Sequence, residues 1–269
     1  MPVDARYELT RTPPEPALYR KIKIKRLVYK TVGEPYIGRR VKLRYFKQMH
    51  DRIGVRDRWR IMDAGSGDGV FAFYMAKRFP GSSVTGLELN ASEVRVCNRI
   101  AAEEGVHNLQ FHEGIPETYT GEGFDLIYCL DVLEHIKDDV SAVRAMRDKL
   151  KPGGVLLAHV PNRYFLDTDG RLKTVADEDA WRVNPGHVRN GYMPAELRTV
   201  LEAGGLTVDS LVETQGQPIA RAHRIYHAVE RWLPLRIAIL PAIDLLTWLD
   251  RRRKNPHGNT VWGIARRLA

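Results

Sequence analysis

The chain has 269 residues and a mass of 30.7 kDa, with 43% hydrophobic and 28% charged residues. That composition suits one large globular domain with appendages and excludes wholesale disorder. Two cysteines, Cys97 and Cys129, exclude a disulfide-built scaffold and a multi-cysteine zinc module. Cys97 falls in a helical pattern and Cys129 in an apolar strand pattern, so buried reduced thiols in a cytoplasmic protein are expected. The first nineteen residues contain Asp4, Glu8 and Glu15 but no apolar stretch, so no secretory signal is expected. The net charge of +9 is unevenly spread: residues 20–60 carry +12, residues 61–220 carry −9 and residues 221–269 carry +7. Basic ends flanking an acidic middle suit nucleic acid, an anionic membrane surface or a solvated face.

In chain order, residues 1–55 read as a basic N-terminal helical cap segment. Trp59–Ala64 is an apolar run that ends in a Gly-rich turn, the pattern of a buried strand. Val70–Phe79 has helical spacing and stops before Pro80-Gly81. Ser83–Glu88 reads as a strand, Ser92–Glu104 as a helix, Asn108–His112 as a short strand and Phe124–Leu130 as a buried one. Asp138–Leu150 is an amphipathic helix, Val155–Val160 a strand and Pro194–Ala203 a helix with proline in its first turn. Leu206–Thr214 and Thr260–Arg266 are late strands. Strands separated by helices of 10–15 residues predict an α/β fold with a doubly wound parallel sheet.

In such a sheet a ligand binds beyond the carboxyl ends of the central strands. Asp63-Ala64-Gly65-Ser66-Gly67-Asp68-Gly69 follows the first strand, and its glycines would let backbone N–H groups approach a ligand closely. Glu88 closes the second strand, 19 residues beyond Gly69, where a carboxylate can accept from both hydroxyls of a ribose. Asp131 closes the fourth. The dinucleotide fingerprint GxGxxG is not met, because the third glycine comes early. Asp63 and Asp68 would also repel a pyrophosphate. A cationic, phosphate-free cofactor fits better.

The runs IMDAGSGDG, VTGLELN, FDLIYCLDVLEHI and LKPGGVLLAHVPN resemble the successive motifs of class I S-adenosylmethionine-dependent methyltransferases, over residues 55–214 with the last strand at 260–266. The resemblance implies a Rossmann-like seven-stranded sheet whose last strand is antiparallel. It implies a core of residues 56–214 and 259–269, a substrate-cover insertion at 161–193 and a helical insertion at 215–258 before the last strand. It also implies that Asp63, Gly65, Ser66, Gly67 and Gly69 surround the methionine part of the cofactor, Glu88 holds the ribose and Leu89 lies against adenine. Glu113 and Gly114 stand where the family often has an acid near the adenine amino group. Asp131 lines the methionine moiety.

Methyl transfer to oxygen needs alignment and a proton acceptor. His135 in DVLEH and His187 in NPGHVRNGY are the candidate catalytic bases. The preferred reading uses no metal. The alternative is a divalent ion at Asp131, Glu134 and His135, with His187. The same acid-x-x-Glu-His run is associated with a divalent metal in some ubiquinone-biosynthesis O-methyltransferases and small-RNA 2′-O-methyltransferases.

Residues 215–258 hold a predicted helix at Ile219–Leu233, then an apolar stretch to Leu249 broken by Pro234, Arg236, Pro241 and Asp244, then Arg251-Arg252-Arg253-Lys254. The breaks argue against a membrane span. They suit helices lying in a bilayer surface, with Trp232 and Trp248 near headgroups. Lys21–Lys30 alternates basic and apolar residues in the same spirit. The expected function is therefore methylation of a hydroxyl on a lipid-linked, quinone-like or glycan-lipid acceptor at the inner face of the membrane. A soluble sugar or secondary-metabolite methyltransferase and an RNA ribose 2′-O-methyltransferase are the alternatives. Nucleic acid is disfavoured as a partner, because few aromatics interleave with the charges.

Overall fold

The computed structural model describes residues 15–167, 169, 171–174, 186–229 and 231–268. Two helices, α1 (Glu15–Val32) and α2 (Ile37–Ile53), precede the sheet. Then follow β1 (Arg60–Ala64), α3 (Val70–Arg78), β2 (Ser83–Glu88), α4 (Ala91–Glu103), β3 (Leu109–Glu113) and β4 (Phe124–Leu130). A short 3₁₀ turn at Leu133–His135 leads to α5 (Asp139–Lys149) and β5 (Leu150–Pro161). A small hairpin, β6 (Tyr164–Leu166) with β7 (Leu172–Thr174), comes next, then α6 (Pro194–Ala203) and β8 (Thr207–Thr214). Three helices, α7 (Gln217–Ala228), α8 (Leu233–Ala238) and α9 (Leu240–Asp250), lead to β9 (Thr260–Arg266).

The main sheet has seven strands in the order β3-β2-β1-β4-β5-β9-β8. β3, β2, β1, β4 and β5 run parallel, whereas β9 is antiparallel to both β5 and β8. This is the doubly wound, Rossmann-like architecture expected, with the last strand reversed. β4 explains why the sheet must be covered on both faces. All seven of its residues are buried. Leu126, Tyr128 and Leu130 enter one hydrophobic core, Ile127 and Cys129 the other. A parallel strand with both faces dry reads as a continuous apolar run rather than an alternating one. Cys97 and Cys129 are both buried and unpaired.

Most element boundaries agree with the sequence pattern to within a residue or two. Where they differ, local chemistry accounts for it. The single helix expected at Ile219–Leu233 is broken: α7 begins with Pro218 in its first turn, and Pro234 starts α8. Proline has no N–H to give and presets φ, so it opens a helix more readily than it continues one. The Lys21–Lys30 alternation lies inside α1. The β6–β7 hairpin was not anticipated, and residues 175–185 of the expected cover lie outside the described residues.

Helix α2 and the insertion before β9 pack together as one helical cap. Arg40 and Arg44 of α2 both pair with Asp244 of α9 at 2.7 Å. The Tyr45 hydroxyl donates to Asp250, which also accepts from the Gly216 N–H at 3.1 Å and the Asn255 side chain at 3.0 Å. Asp250 is 0% exposed. Asp250→Ala removes the acceptor for two buried donors, Tyr45 and Gly216, and one of the two acceptors of Asn255. The expected cost is about 3 kcal/mol, from several uncompensated polar groups. Thermal or urea unfolding measures it, and a change below about 1 kcal/mol would show that these bonds do not hold the cap.

Candidate active site

The turn after β1 is shaped by backbone demands. Gly65, Gly67 and Gly69 have φ of 91°, 50° and 75°, the left-handed region that glycine enters without strain. A Cβ on Gly65 would collide with the Val132 side chain, so the turn lies tight against the residues that follow β4. The amides of this turn are largely engaged. Gly65 and Ser66 donate to the Leu87 carbonyl at 2.9 and 2.8 Å, Gly67 donates to Glu88 Oε2 at 2.9 Å, and Gly69 donates to the Ser66 carbonyl at 2.9 Å. The amides of Gly65, Ser66 and Gly67 therefore bind the turn to β2. This removes the amide cradle that a pyrophosphate requires.

Beside the turn lies a cavity of about 210 Å³. Gly65, Glu88, Leu89, Gly114, Asp131 and His135 all line it. These residues come from four separate stretches of sequence, and the sheet order brings them to one edge. No lysine or arginine lines the cavity, whereas Glu88, Glu117 and Asp131 do. A cation with an apolar body suits such walls, and a phosphate does not. Glu88 Oε1 accepts from the Asn90 N–H at 3.0 Å and Oε2 from Gly67, so each oxygen keeps a lone pair for a further donor.

The other expected cofactor residues do not line this cavity. Asp63 is buried at the end of β1, and burial pushes its carboxyl up to about 8. Asp68 points away and accepts from Lys25 at 2.9 Å and Arg39 at 2.6 Å. Ser66, Gly67 and Gly69 hold the turn. The Glu113 side chain is exposed, and Glu117 stands on the cavity wall instead.

His135 and His187 are brought together. Their rings meet edge to face with centroids 4.5 Å apart. His135 Nδ1 lies 2.8 Å from the Gly186 carbonyl oxygen. A carbonyl only accepts, so Nδ1 carries the proton and Nε2 of the neutral ring keeps its lone pair. His187 is held below its ordinary range, at about 4, by burial and by His135. The segment carrying His187 is clamped to the turn after β4. Val188 N–H donates to the Glu134 carbonyl at 3.0 Å. Tyr192 Oη donates to the Leu133 carbonyl at 3.1 Å and lies 2.7 Å from Asp139, with which Arg189 also pairs.

Glu134 is fully buried, both its carboxylate oxygens lack a hydrogen-bond partner among the described residues, and burial raises it to about 7 although Lys42 and Arg189 act the other way. Ligand atoms of Glu134, His135 and His187 lie within 4.8 Å of one another. Asp131 stands outside this cluster. It has φ of 55°, is ion-paired with Lys42 and lies 2.7 Å from His159 Nδ1. Of the alternative metal set, Glu134, His135 and His187 fit, and Asp131 is occupied by other partners.

Sequence reasoning missed Lys42, His159 and Glu117. His159 carried a signal, since a histidine inside LLAHV is out of place in a buried strand. Lys42 carried none, because nothing in a basic helix says which lysine turns inward.

A seven-stranded sheet with one reversed strand, an acid at the tip of β2 and a phosphate-averse cavity beside the first turn defines a class I S-adenosylmethionine-dependent methyltransferase. A family model described as "Methyltransferase domain" matches residues 36–211, and the chain belongs to that family. It is an enzyme whose cofactor is S-adenosylmethionine. It is 32% identical over 207 residues to a ubiquinone biosynthesis O-methyltransferase of Pseudomonas aeruginosa (strain LESB58), covering 69% of this chain and 84% of the relative. A ubiquinone biosynthesis O-methyltransferase of Aeromonas salmonicida (strain A449) is 28% identical over 203 residues, covering 67% and 81%. Phosphoethanolamine N-methyltransferase 2 of Haemonchus contortus, solved with S-adenosylmethionine, shares the fold with a TM-score of 0.56 at 19% identity, covering 80% of this chain and 50% of that one.

Proposed function

We propose that the enzyme methylates a hydroxyl of a small, quinone-like or lipid-linked acceptor at a membrane surface. The observation that carries the hydroxyl is His135, which lines the cofactor cavity with Nδ1 anchored to Gly186 and Nε2 left basic. The names of the relatives supply the quinone chemistry. S-adenosylmethionine, when bound, supplies a methyl group activated by a cationic sulfur, so an oxygen can displace it in line. Glu88 accepts from the ribose hydroxyls. Leu89, Ile115 and Pro116 provide the apolar wall and exclude water. His135 takes the acceptor's proton at Nε2, and Gly186 stabilises the imidazolium that results.

The membrane part rests on the cap. Trp232, Leu235, Leu245 and Trp248 are exposed on α8, α9 and their junctions, and Arg251–Lys254 follows directly. Among the described residues no helix is long and apolar enough to cross a membrane. Binding in the bilayer surface uses such a face without crossing. Flotation with anionic vesicles at low salt is expected to recover the protein and to lose most of it at high salt. Protein that stays at the bottom of the gradient at low salt would remove the membrane from this reading.

A second reading is favoured by Glu134, whose carboxylate has no hydrogen-bond partner among the described residues. Glu134, His135 and His187 would hold a divalent ion, which would lower the pKa of a hydroxyl bound to it. The test is transfer of labelled methyl to a phenol carrying a prenyl tail, with a sugar and an RNA as controls, before and after chelation. With His135 as base, phenol methylation survives chelation. A loss of about tenfold or more, restored by added magnesium or zinc, favours the ion. Methylation of the sugar or the RNA in place of the phenol would overturn the acceptor class.

A further inference from the structure

A second cavity, of about 400 Å³, opens between α1 and α3. It shares no lining residue with the cofactor cavity, and from the Gly65–Gly69 turn it takes Asp68 where the cofactor cavity takes Gly65. Ile22 and Phe73 underlie the second cavity but are only 2% exposed, and the Arg26 guanidinium covers the Phe73 ring at 3.5 Å.

The charge around this cavity is out of balance. Glu104 alone accepts Arg26 at 2.5 Å, Lys77 at 2.6 Å and Lys30 at 3.2 Å. These donors hold its carboxyl at about 2, although its partial burial works the other way. Arg78 also lines the cavity and pairs with no carboxylate among the described residues. Lys25 and Arg39 crowd onto Asp68 in the same way, although Arg39 also pairs with Glu34, the other carboxylate of the lining, at 3.4 Å. Three cations on one carboxylate, with a fourth beside them, leave a net positive rim that an anion would neutralise. Lys30, Lys77 and Arg78 are exposed, so they can turn toward a ligand without leaving water.

The outer face of α1 indicates the source of the anion. Ile24 and Leu27, three residues apart and so on one side of the helix, are 55% and 63% exposed. An apolar stripe flanked by lysines, beside a cavity with a basic rim, fits an amphiphile better than a free ion.

We propose that this cavity binds the headgroup of an anionic phospholipid, with its phosphate among Lys30, Lys77 and Arg78. Its chains stay in the surrounding lipid, into which Ile24 and Leu27 dip. The site rests on the membrane-surface reading above, but it is separate from α8, α9 and Arg251–Lys254.

The test uses the full-length protein and dihexanoyl phosphatidylglycerol below its micelle threshold, so no bilayer is needed. Calorimetry is expected to find saturable binding, weaker by about tenfold or more for dihexanoyl phosphatidylcholine and for inorganic phosphate. Lys30→Glu/Lys77→Glu is expected to abolish the preference for phosphatidylglycerol while leaving S-adenosylmethionine affinity and the melting temperature unchanged. Should that variant fail to fold, Lys30→Gln/Lys77→Gln is expected to weaken phosphatidylglycerol binding by about tenfold. Absence of saturable binding, or equal affinity in a folded variant, overturns the site. Equal affinity for inorganic phosphate overturns the lipid and leaves a plain phosphate site. Vesicle flotation separates the two readings. A protein that floats but ignores the soluble lipid sinks this site alone, and one that binds the soluble lipid but does not float sinks the membrane reading alone.

Discussion

Glu88→Ala is expected to weaken S-adenosylmethionine binding by roughly 150-fold, about 3 kcal/mol, because two charge-assisted hydrogen bonds to the ribose would be lost. Glu88 ends β2 on the cavity wall, and its oxygens each hold one backbone amide while retaining capacity for another donor. The carboxylate thus ties the glycine turn to β2 and presents acceptors at a fixed place. Glu88→Gln separates these roles. The amide oxygen keeps an acceptor for Gly67 or Asn90, but the charge is gone, so an intermediate loss is expected. Calorimetry with the cofactor and with its demethylated product measures both. An unchanged dissociation constant in Glu88→Ala would remove Glu88 from the cofactor site.

The second large effect belongs to His135. Removing a positioned base costs about 10²–10⁴ in turnover, and His135→Ala is expected to fall in that range while cofactor affinity stays within about threefold. The Gly186 carbonyl fixes the tautomer, so the loss reflects the missing Nε2 and not a disordered ring. His135→Gln can keep a donor toward Gly186 but offers no base, and it should be as slow as the alanine variant. Turnover near that of the parent enzyme in either variant would exclude His135 from proton transfer. The chelation experiment decides whether the same histidine works as a base or as a ligand.

Much of this arrangement was legible in the sequence for a physical reason. Strands buried on both faces must be largely apolar, so FDLIYCL and VLLAHV declare themselves, and the antiparallel β9 at Thr260–Arg266, buried along its middle, stands out as well. Glu88 was legible because an acid directly after such a strand has few structural explanations. The amide directions of the glycine turn were not, since the same spacing serves a ligand or a neighbouring strand, and here Leu87 takes two of them. The cap was less legible still. Arg40 finds Asp244 across 204 residues and Tyr45 finds Asp250 across 205. No local periodicity encodes such pairs, and a helix as uniformly basic as α2 does not reveal that Lys42 reaches Asp131. The break between α7 and α8 was in principle readable, because Pro234 belongs at a helix start.

The place of β9 sets the order in which the molecule can be made. It is wedged between β5 and β8 and supplies hydrogen bonds to both. Until that strand has left the ribosome, the nascent chain holds two unpaired edges side by side, each an open template for aggregation. A chain lacking β9 would keep both edges open, so it is expected to aggregate rather than function at reduced rate.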